Sequence, residues 1–166
     1  MLGLTPFGAF HTAIGVVAVV CGFIALARDK QISSETRLGQ VYLVTTLATA
    51  VTALGIFHHG GFGPPHVVAL LTIVALGVGT AAGRSRLFGR ASRYVHAISY
   101  SSTILFHLIP AVTESSTRLP PGAPLVASPD AHVLQTVALV LLAGFLVGVA
   151  LQVRWLRRSL RAGTPV

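Results

Sequence analysis

The sequence predicts an all-α polytopic membrane protein, a bundle of five transmembrane helices with its N-terminus outside and its C-terminus in the cytoplasm. Three observations carry the prediction. Hydrophobic residues fill 53% of the 166 positions and charged residues 10%, against roughly 25% charge in soluble domains. Five apolar stretches, 8–27, 38–57, 66–83, 94–112 and 132–153, approach the roughly 20 helical residues that cross a hydrocarbon core of about 30 Å. Basic residues also alternate between the connecting segments as the positive-inside rule requires. The length fits a single domain spanning 1–166.

The first stretch places Gly8, His11, Gly15, Ala18 and Gly22 on one small-residue face, which lets a second helix approach closely or admits a flat macrocycle beside a histidine ligand. Ala25-Leu26-Ala27 imitates a signal-peptidase site, but no basic segment precedes it, so the stretch reads as retained. The single Cys21, in mid-span, excludes an internal disulfide and CxxC chemistry. Arg28, Lys30 and Arg37 mark the next loop as cytoplasmic.

The second stretch sets Tyr42, Thr45, Thr49, Thr52 and His59 on a comparable face. Gly60, Gly61, Gly63, Pro64 and Pro65 then forbid a continuous helix, which predicts a tight outer hairpin into the third stretch. Arg84, Arg86, Arg90 and Arg93 return the chain to the cytoplasm. The fourth stretch is the most polar, with His96, Tyr100, Thr103, His107, Pro110 and Glu114 at alternating steps of four and three on one face. Lipid satisfies none of these groups, so the stripe faces helices, water or a ligand. The Pro-rich 113–131 segment is either a lid over the outer end or a plain connection. The fifth stretch ends in Arg154, Arg157, Arg158 and Arg161. Gly77 with Gly79, and Gly144 with Gly148, read as helix-packing sites, while Tyr94 and Trp155 fall at the cytoplasmic interface. The net charge of +8 is thus a topology signal that also attracts anionic lipid, not a nucleic-acid footprint.

The histidines carry the functional information. His11, His58, His59, His66, His107 and His132 gather in the outer third of the predicted bundle, and only His96 lies at the inner end. His58, His59, His66 and His132 sit at helix ends, where solvation alone accounts for them. His11 and His107 lie within spans, where an ionisable side chain is costly and turns towards the protein interior. Imidazole is the common nitrogen ligand of Zn, Cu and Fe, haem iron included. Two arrangements follow: a haem b held by His11 and His107, or by one of them with His58 or His59; or a copper, zinc or iron site drawing also on His66, His132 and Glu114. Adjacent His58 and His59 diverge by about 100° on a helix, which makes His59 the better placed of the two.

The run His11-x-x-x-Gly15-x-x-Ala18-x-x-x-Gly22-x-x-Ala25-Leu26, followed by Arg37-Leu38-Gly39-x-x-Tyr42, resembles an uncharacterised family of bacterial multi-span inner-membrane proteins. The likeness covers roughly residues 7–55, and Thr36 stands where that family commonly has histidine. It implies a membrane fold in the bacterial inner membrane and supplies no activity. A looser analogy is to b561-type cytochromes, on histidines in a small antiparallel bundle.

Three function classes stay open. The first is a membrane redox protein, an oxidoreductase or electron-transfer component with a haem or metal centre near the periplasmic face and a quinol or periplasmic partner. The second is a proton or metal-ion pathway running from His96 through Tyr100, Thr103 and His107 to Glu114. The third is a non-catalytic subunit of a larger membrane complex or homo-oligomer. A hydrolase is disfavoured, because Ser101 or Ser102 and His107 share one helix without meeting and no buried Asp is present to orient a base.

Overall fold

Helix α1 (Pro6–Asp29) starts where the Thr5 hydroxyl accepts the Gly8 N–H at 3.0 Å and Pro6 pre-sets the first turn. It stops at Lys30, whose φ of 61° is left-handed and whose N–H closes on Leu26 O. Thr36 caps α2 (Arg37–Ala53) by accepting the Gly39 N–H. Pro64 and Pro65 open α3 (Pro64–Arg84), and a short 3-10 turn, Gly89–Ala91, leads into α4 (Ser92–Arg118). A loop then returns the chain to α5 (His132–Arg161). This computed structural model describes residues 5–57, 61–85 and 87–162, and contains no strand among them.

Four of the helical segments, Pro6–Asp29, Pro64–Arg84, Gly89–Arg118 and His132–Arg161, are long and apolar enough to cross a membrane. The protein is therefore a multi-pass membrane protein in contact with lipid, and its outer surface is apolar, as Val44 (67% exposed) and Leu139 (66%) illustrate. At 17 residues α2 is shorter, about 26 Å by helical rise.

Helix lengths differ from the sequence reading at three ends. α2 stops at Ala53 rather than 57, because the Gly55 and Ile56 N–H groups turn back onto the Thr52 and Ala53 carbonyls. α4 continues through Pro110 to Arg118, so Glu114 is helical and the loop begins at Leu119. α5 runs to Arg161, since arginine is a good helix former and nothing after residue 153 breaks the pattern.

Packing closes α1, α2, α3 and α4 into a ring, α1 against α2, α2 against α3, α3 against α4 and α4 against α1, while α5 lies outside against α4. Glycines set the close approaches. A Cβ on Gly22 would stand 2.6 Å from the Tyr42 ring and 3.1 Å from Ile104, and one on Gly79 would stand 2.6 Å from the Tyr100 ring. Gly83, four residues after Gly79, takes the His96 ring in the same way. On α3, then, Gly79 pairs with Gly83, not with Gly77, which faces open space. Gly144 and Gly148 also meet nothing within 4 Å. They border an apolar crevice of about 630 Å³ between α5, α4 and the C-terminal part of α1.

Candidate functional site

The polar residues of the bundle form a line of hydrogen bonds between helices, and one rule explains most of them. A threonine in a helix donates its single hydroxyl proton to a carbonyl one turn back, which leaves its oxygen as an acceptor for a neighbouring helix. Thr52 donates to Ala48 O and Thr49 O, so the His11 Nδ1–H on α1 donates to Thr52 Oγ1 at 2.8 Å. Thr80 donates to Leu76 O, so the Tyr100 hydroxyl on α4 donates to Thr80 Oγ1 at 2.9 Å. Thr103 donates to Tyr100 O, so the buried Tyr42 hydroxyl donates to Thr103 Oγ1.

Thr46 extends this line. It is fully buried, lies 3.2 Å from His107 Nε2, and also flanks the Tyr42 hydroxyl. His107 Nε2 and Thr46 Oγ1 thus share a hydrogen bond whose donor depends on the imidazole tautomer, beside the Tyr42 hydroxyl that bonds to Thr103. At the other end His96 Nδ1–H donates to Gly79 O at 2.9 Å and stands edge-on to the Tyr100 ring, with centroids 4.5 Å apart.

The Thr52 assignment leaves His11 with a lone pair at Nε2, while Nδ1 of His107 has no hydrogen-bond partner among the described residues. Both rings are half-buried, and each lies within range of the other's charge. Glu114 lies within electrostatic range of His11, but its carboxylate is half-exposed and held by Arg118 one turn on, at 2.6 Å. The structure thus sets His11 and His107 against the same helix, α2, but at threonines six residues apart, with Glu114 within electrostatic range of His11.

The other predicted ligands do not join them. His66 is 3% exposed, and its ring stacks near Phe57 and Phe62. Its Nδ1 accepts the Gly63 N–H at 3.2 Å, so the neutral ring carries its proton on Nε2 and offers no lone pair to a metal. It is a capping residue, and its Nε2–H has no partner among the described residues. His132 is exposed at the first turn of α5. His58 and His59 lie outside the described residues. The 119–131 loop folds back on its own stem through Leu125 N–H to Leu119 O and Val126 N–H to Ser116 O, with its side chains largely exposed.

Among the described residues no three His, Cys, Asp or Glu side chains converge as metal ligands. Nor do the residues fit a macrocycle along the small-residue face of α1. Thr49 Cγ2 would stand 3.4 Å from a Cβ on Gly15, and the Tyr42 ring fills the space over Gly22.

Thr46, Thr80, Ser101 and Gln152 were not apparent as site residues from sequence. Gln152 ties the outlying helix in place: its Oε1 accepts from Ser101 on α4, and its Nε2 donates to Lys30 O beyond α1. A buried glutamine in an apolar helix, and a threonine four residues after Tyr42, were the available signals. Comparison with protein-family models, with curated proteins and with solved structures finds no match to this chain.

Proposed function

We propose that this protein conducts protons across its membrane along the line of hydrogen-bonding groups from His11 to His96. One observation carries the reading: hydrogen-bonded polar side chains succeed one another along the bundle, with His11 towards one end, His107 between and His96 towards the other. The six residues from Thr46 to Thr52 rise about 9 Å and the eleven from His96 to His107 about 17 Å, so the line covers most of a core about 30 Å thick. A histidine accepts a proton on its lone-pair nitrogen and releases one from the other, and hydroxyls pass it on by exchanging donor and acceptor roles. Conduction requires water between His11 and His107, between Thr103 and the Tyr100 hydroxyl, and between Tyr100 and His96.

The test is proton flux in liposomes holding the purified protein, under an imposed pH gradient and membrane potential. Tyr42→Phe keeps the ring over Gly22 and removes only the central hydroxyl, and it should lower flux about tenfold or more. His107→Phe should abolish it. Wild-type liposomes no leakier than empty ones, or a Tyr42→Phe variant that conducts like wild type, would overturn the reading.

A second reading, a subunit of a larger membrane assembly, is favoured by α5. That helix packs mainly on α4 and leaves Gly144 and Gly148 open beside the apolar crevice. Co-purification with a stable membrane partner, lost in Gly144→Leu, would support it over conduction.

A further inference from the structure

The last turns of α5 carry Arg154, Arg157, Arg158 and Arg161, which line a shallow groove of about 360 Å³ with Ala150 and Val153. Their spacing of three, one and three places all four guanidiniums on one side of the helix. The helix buries Leu134, Gln152 and Leu156, and the arginine side lies roughly opposite Gln152 and Leu156, turned away from the bundle. The two ion pairs among the described residues, Arg28 with Asp29 and Arg118 with Glu114, leave these four arginines without a carboxylate. Towards the membrane the same side continues through Val147 (60% exposed), Leu146 and Leu139.

The positive-inside rule accounts for the number of arginines at this end, but topology depends on charge count and is indifferent to helix face. Four guanidiniums converging at the foot of an exposed apolar track match a different demand. We infer that this groove binds an anionic phospholipid, its phosphate held by the arginines and an acyl chain lying along Val147, Leu146 and Leu139. Guanidinium takes two phosphate oxygens at once, which an ammonium does not. Each arginine near an anionic headgroup adds favourable electrostatic attraction.

The chain has a single tryptophan, Trp155, next to Arg154, and it serves as the reporter. The protein is reconstituted with phospholipids brominated on the acyl chain, and quenching of Trp155 is followed against mole fraction. Brominated phosphatidylglycerol should reach half-quenching at a mole fraction about tenfold or more below brominated phosphatidylcholine. Brominated cardiolipin separates one-phosphate from two-phosphate recognition. Changing all four arginines to glutamine should remove the preference. Changing all four to lysine keeps the charge and the topology, and should weaken the preference severalfold, whereas changing Arg84, Arg90 and Arg93 to lysine should leave it intact. Equal quenching by the anionic and zwitterionic lipids would overturn the proposal. So would a lysine variant indistinguishable from wild type, which would reduce the effect to surface potential alone.

Discussion

Replacing Gly22 by alanine tests whether the small-residue face of α1 is filled by α2. The new Cβ would stand 2.6 and 2.9 Å from two atoms of the Tyr42 ring and 3.1 Å from Ile104 Cδ1. Tyr42 is fully buried and its hydroxyl is tied to Thr103, so the ring has no free direction in which to yield. Overpacking of this kind costs about 1–3 kcal/mol. Alanine also gains up to about 1 kcal/mol over glycine in helix propensity, and this gain must be separated out. Gly144→Ala does so, because nothing lies within 4 Å of that position and only the propensity term remains. The difference between the two variants therefore reads the clash itself, about 1–3 kcal/mol, or roughly 5-fold to 150-fold in the unfolding constant. Reversible unfolding in mixed detergent micelles, followed by Trp155 fluorescence, measures both. On a Tyr42→Ala background, which removes the clashing ring, Gly22→Ala should cost little, the coupling expected for two residues in direct contact. If Gly22→Ala and Gly144→Ala agree within about 0.5 kcal/mol, the reasoning fails and the α1 face is open to a flat ligand after all.

Gly83→Ala should destabilise in the same range and free His96 from Gly79 O, since the Cβ would stand 2.6 Å from His96 Nδ1; the His96 ring resonances in selectively labelled protein report the release. Thr103→Val is nearly isosteric and strips the Tyr42 hydroxyl of its acceptor, at a cost of about 0.6–1.7 kcal/mol in a membrane helix bundle, read by the same unfolding assay. Zinc should inhibit proton flux from the His11 side by coordinating the free Nε2 of His11, and His11→Ala should raise the inhibitory concentration at least about tenfold. Unchanged inhibition in that variant would place the zinc elsewhere. The purified protein should show no Soret band; a band that disappears in His11→Ala or His107→Ala would restore the haem reading and displace the proton pathway.

How far the site was legible depended on the distance over which each signal acts. The stripe on α4 was visible because Tyr100, Thr103 and His107 repeat at helical spacing, and a polar stripe in lipid must turn inward. Its partners were less visible. Thr45 and Thr46 both follow Tyr42 closely, and the sequence favoured Thr45, but it is Thr46 that meets His107, while Thr45 donates to Val41 O and Tyr42 O of its own helix. One residue is about 100° of helix rotation, a quantity set by how α2 packs on α1 and α4. His66 looked like a spare ligand because its use as a cap depends on the backbone geometry at Gly63.

Composition and local pattern were sufficient to determine that this chain is helical and membrane-embedded, and where most of its helices begin. Each is decided within one or two turns: backbone groups in lipid must bond within their own helix, and caps such as Thr5 and Thr36 act on residues three positions away. The tertiary structure alone decided that the groove on α1 is occupied, that α5 stands outside the ring, and that His11 and His107 turn onto threonines of α2 while His66 caps its own helix and His132 is exposed. Those outcomes depend on the rotation and crossing of helices far apart in sequence, and small glycine contacts, such as Gly22 against Tyr42 and Gly79 against Tyr100, decide between arrangements that share one hydrophobic pattern.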